Sequence, residues 1–129
     1  MMGKIVAKRI LVVEDDPIGQ KVLMDALEAS GYHVSLARTG PEAVEKADRE
    51  QPDLVVCDIL LPQKSGFEVC FEIKRTATPR DLPVIFMSAV CRDAYSESYA
   101  SINLGAQGYF VKPFAMSVML ERIRELLAN

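Results

Sequence analysis

Short apolar runs alternate along this chain with segments whose apolar residues recur at helical spacing. The apolar runs are rich in strand-forming residues and occupy positions 10–13, 33–37, 53–57, 83–87 and 109–111. There are five helical patterns. The first ends before Gly31, the second follows Gly40, and the other three lie at 66–76, 94–104 and 114–128. Five strands alternating with five helices predict right-handed crossovers and a doubly wound α/β domain, whose parallel sheet is covered on both faces.

Composition narrows the classes of protein to which the chain can belong. Its 129 residues, half of them hydrophobic, suffice for one substantial core, so we expect a single domain over residues 1–129. No apolar run approaches the ~18 residues of a membrane span and the N-terminus lacks a signal core, so we expect a cytoplasmic protein without a membrane partner. A net charge of −3 without a long basic run argues against direct nucleic-acid binding. Three cysteines without a CxxC motif argue against a zinc site or a disulfide framework.

Charged and hydroxyl side chains follow the apolar runs at the points where the strands are predicted to end. Three acids close the stretch RILVVEDDP, Asp58 follows the third run, Ser88 the fourth and Lys112 the fifth. The carboxyl ends of parallel strands meet at one edge of a doubly wound sheet, so we expect these side chains to converge. Carboxylates from two strand ends predict a site for a hard cation such as Mg²⁺.

Each of these residues, taken alone, has an ordinary structural explanation. A single Asp after a strand is typically a turn or capping residue, a single Ser a hydrogen-bonded loop residue, and a single Lys a solvated charge. Asp16 fits the capping role, because it stands directly before Pro17 at the start of a helical pattern. The joint occurrence of acids and a lysine at one sheet edge is what favours a phosphoryl-transfer site.

Four motifs of the chain together resemble the receiver domain of bacterial two-component response regulators. They are LVVEDDP, DLVVCDILLP with Gly66 shortly after it, PVIFMSA and GYFVKPF, and the resemblance spans a core of roughly residues 9–128. It implies a flavodoxin-like fold with five helices and the strand order 2-1-3-4-5, an order that is taken from the family. It also implies a signalling switch that catalyses its own phosphorylation and dephosphorylation, and not an enzyme that acts on a separate substrate.

The resemblance assigns the acidic residues to a phosphoacceptor and its metal. Asp58 is the implied acceptor, whose carboxylate attacks the phosphoryl group of a phosphohistidine to form an aspartyl phosphate. The implied ligands of Mg²⁺ are Glu14, Asp15, Asp58 and the backbone carbonyl of Leu60, and the metal offsets repulsion between the nucleophile and the phosphoryl group. The implied partner that supplies the phosphoryl group is a sensor histidine kinase or a phosphotransfer protein.

The same resemblance assigns Lys112, Ser88 and Tyr109 to phosphate binding and switching. Lys112 pairs with the phosphoryl oxygens and Ser88 donates a hydrogen bond to one of them. Ser88 and the ring of Tyr109 then move together, which changes the surface formed by the last helices and strand. The implied reader of that surface is a downstream protein target or an output domain outside this chain. The Lys112–Pro113 bond is implied to be cis.

The chain departs from the commonest receiver pattern at several positions. Glu14 replaces the more frequent Asp in the first acidic position, and the segment from Ser88 to Gly105 is slightly longer than usual, which bears on the output surface. Leu60 and Val90, each two residues beyond a site residue, are apolar. The resemblance implies that these positions face the phosphoryl group, so apolar side chains there predict slow hydrolysis of the aspartyl phosphate. The alternative is that both side chains simply pack against their loop neighbours.

Other functions fit the sequence less well. A haloacid dehalogenase-like phosphatase needs a DxD pattern, whereas Asp58 is followed by Ile59 and Leu60. A flavodoxin cradles a phosphate in its first loop, and three acids there would repel it. A receiver that docks to partners without phosphorylation is the main alternative; it predicts the loss of Asp15, Asp58 or Lys112, and all three are present. The chain is expected to be either a complete single-domain regulator or the receiver of a larger protein.

Overall fold

Five parallel strands form one sheet at the centre of the molecule. The computed structural model describes residues 7–76, 82–89 and 106–128. The strands are β1 (Arg9–Val13), β2 (His33–Ala37), β3 (Leu54–Asp58), β4 (Val84–Ser88) and β5 (Gly108–Val111). Their order in the sheet is β2-β1-β3-β4-β5, so the direction of winding reverses next to β1. This confirms the predicted fold class and strand order.

Four helices are present among the described residues, two against each face of the sheet. They are α1 (Pro17–Ala29), α2 (Gly40–Glu50), α3 (Gly66–Thr76) and α4 (Met116–Leu127). As predicted, Asp16 caps α1: its carboxylate accepts a hydrogen bond from the Gly19 N–H at 3.0 Å, and Pro17 occupies the first helical position. Thr39 caps α2 in the same way, accepting from the Glu42 N–H at 3.2 Å. Local side-chain chemistry therefore sets where both helices begin.

Separate layers of apolar side chains cover the two faces of the sheet. Leu11 and Val13 of β1 point into the layer that α2 and α3 cover, whereas Ile10 and Val12 point into the layer that α1 and α4 cover. Because both faces are buried, β1, β3 and β4 are nearly continuous apolar runs without polar alternation. Polar side chains on these strands are therefore confined to the first and last residues.

The observed element boundaries differ from the predicted ones by one or two residues. Asp58 and Ser88 are the last residues of β3 and β4, although the pattern predicted that they follow those strands. Both residues still pair with a neighbouring strand. A pattern of apolar residues cannot show that a polar residue continues the strand. Asp53 lies before β3, and its carboxylate accepts a hydrogen bond from the Arg9 N–H at 2.8 Å. The last helix begins at Met116, two residues later than predicted.

Some predicted features lie outside the described residues. They are the helix at 94–104, most of the longer segment between Ser88 and Gly105, Val90 and Cys91. Cys57 and Cys70 are buried free thiols; burial raises the pKa of both, that of Cys70 to about 11, so neither is poised to react. None of the four described helices combines the length and the apolarity that a membrane crossing needs.

Candidate functional site

The ends of three strands bring one lysine and two carboxylates into contact. Lys112, directly after β5, donates from Nζ to Oδ2 of Asp58 and to Oε1 of Glu14, both at 2.7 Å. The other oxygen of Asp58, Oδ1, accepts a hydrogen bond from the Leu60 N–H at 2.9 Å. Lys112 is 54 residues from Asp58 and 98 residues from Glu14 along the chain, so the sheet topology alone makes them neighbours.

These charged groups are largely removed from solvent. Glu14 is 1% exposed and Asp58 6%, whereas the side chain of Lys112 is 29% exposed. Burial raises the pKa of Glu14, and this outweighs the opposing hydrogen bond from Lys112. Burial lowers the pKa of Lys112, but its hydrogen bonds to Asp58 and Glu14 outweigh that effect and the pKa is raised. The acids thus favour the charged form of the lysine, whereas burial disfavours the charged form of Glu14.

Asp15 adds a third carboxylate to this cluster. One carboxylate oxygen from each of Glu14, Asp15 and Asp58 lies within 4.8 Å of the other two. Asp15 is exposed whereas the other two are buried, so the cluster has a face that is open to solvent. Three oxygen donors in this arrangement fit a hard divalent cation, which Mg²⁺ exemplifies by taking carboxylates while keeping several waters. The remaining sequence-predicted ligand, the carbonyl of Leu60, belongs to the loop that directly follows Asp58.

The predicted switch residues lie on the two strands beyond β3. Ser88 is fully buried at the end of β4, and its backbone carbonyl accepts a hydrogen bond from the Lys112 N–H at 2.8 Å. Tyr109 lies on β5 opposite Phe86 and packs, partly buried, against the apolar layer beneath α2 and α3. The Lys112–Pro113 bond is cis, as the resemblance implies. The structure therefore brings Ser88 to the same sheet edge as the acids, with Tyr109 further back along β5.

Two residues near the site have contacts that sequence reasoning did not identify. A Cβ atom at Gly66 would lie 2.3 Å from the backbone carbonyl oxygen of Asp58, so a side chain there would displace the strand end that carries Asp58. Gln20 is buried on α1, and its Nε2 donates to the backbone carbonyl of Glu14 at 2.8 Å. A signal for Gln20 did exist: it shares the buried face of α1 with Leu23 and Leu27, where an amide is unusual.

The chain matches one protein family over most of its length. A family model described as the response regulator receiver domain matches residues 10–124. The response regulator MprA of Mycobacterium leprae (strain TN) is 42% identical over 119 residues, which are 92% of this chain and 50% of that protein. The chain therefore spans about half the length of the curated relatives that it matches.

Two solved structures that are similar to this chain contain magnesium. One is the receiver domain of the sensor histidine kinase PA1611 from Pseudomonas aeruginosa PAO1, with a magnesium ion coordinated in the active site cleft. It is 28% identical with a TM-score of 0.84, over 96% of this chain and all of that one. The other is the response regulator protein TrrA from Thermotoga maritima in complex with Mg(2+)-BeF. It is 34% identical with a TM-score of 0.80, over 93% of this chain and 99% of that one.

Proposed function

The chain belongs to the response regulator receiver domain family of two-component systems, and from that premise we propose that Asp58 is its phosphoacceptor. In the proposed step, a carboxylate oxygen of Asp58 forms a bond to the phosphorus of a phosphohistidine while the P–N bond breaks. The electron pair of that bond stays on the imidazole of the donor, and the product is an aspartyl phosphate. The donor is a sensor histidine kinase or a phosphotransfer protein.

The observation that carries this proposal is the contact of Lys112 with two acids. Its Nζ lies 2.7 Å from both Asp58 Oδ2 and Glu14 Oε1. A cation already in hydrogen-bond contact with the acceptor needs only a small movement to pair with the oxygens of an incoming phosphoryl group. A receiver used only for docking has no need of a lysine held between two buried carboxylates.

The proposed holders of Mg²⁺ are Glu14, Asp15 and Asp58, together with the carbonyl of Leu60. The mutual distances of the three carboxylates and their all-oxygen chemistry support this role. When bound, the cation offsets the repulsion between an anionic nucleophile and an anionic phosphoryl group. The magnesium-containing structures of two similar proteins support the same assignment.

Ser88 and Tyr109 are the proposed residues that report phosphorylation. The Ser88 hydroxyl donates a hydrogen bond to the phosphoryl group, and the position of Ser88 at the end of β4, beside the strand that carries Asp58, supports this role. Tyr109 then repacks against its apolar layer, which changes the neighbouring surface. We propose that residues 9–128 act in this way as one signalling switch, read by a downstream protein or by an output domain outside the chain.

Phosphorylation by a small donor tests the acceptor. With Mg²⁺ and acetyl phosphate, the intact protein gains the mass of one phosphoryl group, and Asp58→Asn gains none. Asp25→Asn is the matched control, because Asp25 is an exposed acid paired with Lys21 on α1, and it is labelled like the wild type. Equal labelling of Asp58→Asn would reject the assignment. A folded wild-type protein that stays unlabelled would favour the docking-only receiver.

A melting experiment tests the metal site separately. At a Mg²⁺ concentration about ten times the dissociation constant, binding stabilises the folded protein by about 1.4 kcal/mol. Asp15→Ala removes this increment, because Asp15 is the exposed member of the acidic cluster. The metal-free variant melts at the wild-type temperature or above it, since one repulsive charge is gone. A Mg²⁺ effect of unchanged size in Asp15→Ala would show that the acid cluster is not the metal site.

A further inference from the structure

The side chain of Glu14 occupies a niche over the first turn of α1, which we call the α1 niche and which Asp16, Gly19 and Gln20 line. The Asp16 N–H donates to Glu14 Oε2 at 3.2 Å. A Cβ atom at Gly19 would lie 2.9 Å from Glu14 Oε1 and 3.2 Å from its carboxyl carbon. Real Cβ atoms essentially never approach another atom closer than 3.0 Å, so the Glu14 oxygen would have to shift to admit any side chain at position 19.

The oxygen nearest to Gly19 is also the one that holds the lysine. Glu14 Oε1 accepts the 2.7 Å hydrogen bond from Lys112. A side chain at position 19 would therefore displace the atom that links Glu14 to the rest of the site. Because aspartate is one methylene shorter than glutamate, an aspartate at position 14 would extend less far over α1 and leave room for a larger residue at position 19.

The backbone conformation of α1 does not itself call for glycine at position 19. Among the described residues, Gly31 is the glycine with a positive φ, and Gly19 lies in the regular helix. Glycine within a helix is destabilising relative to alanine, because it loses more backbone freedom on folding. The space that Glu14 requires explains a glycine that the helix alone would disfavour.

Gln20 holds the main chain from which Glu14 projects. Its Nε2 donates to the Glu14 carbonyl at 2.8 Å, and the residue is 7% exposed. On the other side, the Glu14 N–H donates to the carbonyl of Ala37 at the end of β2. The backbone of Glu14 is thus fixed from α1 and from β2 at once.

We propose that Gly19 and Gln20 are positioning residues of this site: Gly19 leaves the room that the longer acid needs, and Gln20 fixes its backbone. The inference rests on the proposed function, since the quantity that both residues control is the affinity of the acid cluster for Mg²⁺. It predicts that residues 14 and 19 are energetically coupled, so that the effect of a side chain at 19 depends on which acid is present at 14.

A double-mutant cycle of Gly19→Ala and Glu14→Asp tests the coupling. Gly19→Ala alone weakens Mg²⁺ binding by about tenfold, the scale expected for a residue that orients a metal ligand. It also lowers the urea midpoint of the metal-free protein, although alanine would raise it if only the helix mattered. In the Glu14→Asp background, Gly19→Ala no longer weakens binding and raises the urea midpoint. Binding is followed by titrating the protein with Mg²⁺ and recording amide NMR shifts.

A second comparison isolates Gln20. Gln20→Met keeps the size of the side chain and removes the donor, and Lys21→Met changes the exposed neighbour as a control. Gln20→Met weakens Mg²⁺ binding by severalfold while its apolar side chain leaves the urea midpoint unchanged or higher. Lys21→Met changes neither the Mg²⁺ affinity nor the urea midpoint by a comparable amount. Wild-type affinity in Gln20→Met would reject the role of Gln20.

The outcomes separate this inference from the proposed function. Mg²⁺-induced shifts that persist unchanged in Asp15→Ala would contradict the proposed metal site. A wild-type site that binds Mg²⁺ through Asp15, together with a Gly19→Ala protein of wild-type affinity and raised urea midpoint, would contradict only the role of Gly19.

Discussion

Two glutamates follow neighbouring strands of the sheet, and each forms an ion pair with one lysine and accepts a hydrogen bond from one backbone N–H. Glu14, after β1, has Lys112 at 2.7 Å and a backbone N–H at 3.2 Å. Glu42, in the first turn of the helix after β2, has the Arg38 N–H at 2.8 Å and Lys46 Nζ at 3.4 Å. The two acids thus share two kinds of partner, although Glu14 also has other carboxylates beside it.

The pKa values of these two acids nevertheless shift in opposite directions. Burial raises the pKa of Glu14, which is 1% exposed. The hydrogen bond from the Arg38 N–H lowers the pKa of Glu42, whose side chain is 34% exposed. Burial is the largest cause of the upward shift in the pKa of Glu14, to which the neighbouring Asp58 adds, whereas for Glu42 the hydrogen bond from Arg38 outweighs burial. An acid that contacts a lysine and a backbone N–H stabilises the start of α2, where it is partly exposed. In the buried site, the same contacts are offset by the free energy needed to remove the charges from water.

Removing the lysine from each glutamate gives the largest contrast. Lys112→Met leaves Glu14 and Asp58 buried without their cation, and we expect a loss of about 3 kcal/mol in the free energy of unfolding, the low end for a broken buried ion pair. Lys46→Met leaves Glu42 in contact with water, and we expect a loss below about 1 kcal/mol. Urea unfolding at pH 7 in EDTA measures both. Equal losses would mean that burial does not separate the two regions.

Neutralising Glu14 is expected to increase the stability of the protein, whereas removing either lysine is expected to decrease it. Glu14→Gln raises the free energy of unfolding at pH 7 in EDTA, because the raised pKa of Glu14 shows that folding disfavours its charge, and Lys112 keeps Asp58 as a partner. The folded-state pKa of Glu14 is raised above 4.5, so its contribution to stability is complete below pH 4.5 and is lost as the pH rises through the folded value. The advantage of Glu14→Gln over the wild type therefore appears above pH 4.5. A variant less stable than the wild type at pH 7 would contradict this reading of the site.

Neutralising Glu42 gives the smallest effect and completes the comparison. Glu42→Gln lowers the free energy of unfolding at pH 7 by about 0.5 kcal/mol, as expected for a partly exposed acid at a helix start. The folded-state pKa of Glu42 is lowered, so its contribution is present above pH 4.5 and is lost as the pH falls through the folded value. Thermal unfolding from pH 3 to pH 7 should show the variant and the wild type converging at low pH. If the variant and the wild type instead converged at high pH, the pKa of Glu42 would be raised in the folded state and not lowered.

Much of the architecture could be predicted because it depends on local patterns. Continuous apolar runs between helical segments indicated a parallel sheet buried on both faces, and the Asp16–Pro17 pair indicated where α1 begins. Convergence of Asp58 and Lys112 followed from the rule that parallel strands end at one edge. The strand order had to come from the family resemblance, since several orders satisfy the same alternation.

The sequence could not predict how the acids differ from one another. Glu14 and Asp15 are adjacent carboxylates, yet one is buried and the other exposed, because the chain turns from β1 towards α1 between them. Whether a side chain fits at position 19 depends on differences of a few tenths of an ångström in its distance from the Glu14 carboxylate. Only packed coordinates contain that information.

The contact of Lys112 with Glu14 joins residues that are 98 positions apart, so the site needs both β1 and β5 in place. β1 and β3 precede β5 in the sequence, so both acids belong to the part of the chain that is synthesised before the lysine. Long-range contacts of this kind form late, because a large loop must close before they can form. The three charged groups therefore meet only when β1, β3 and β5 have all joined the sheet.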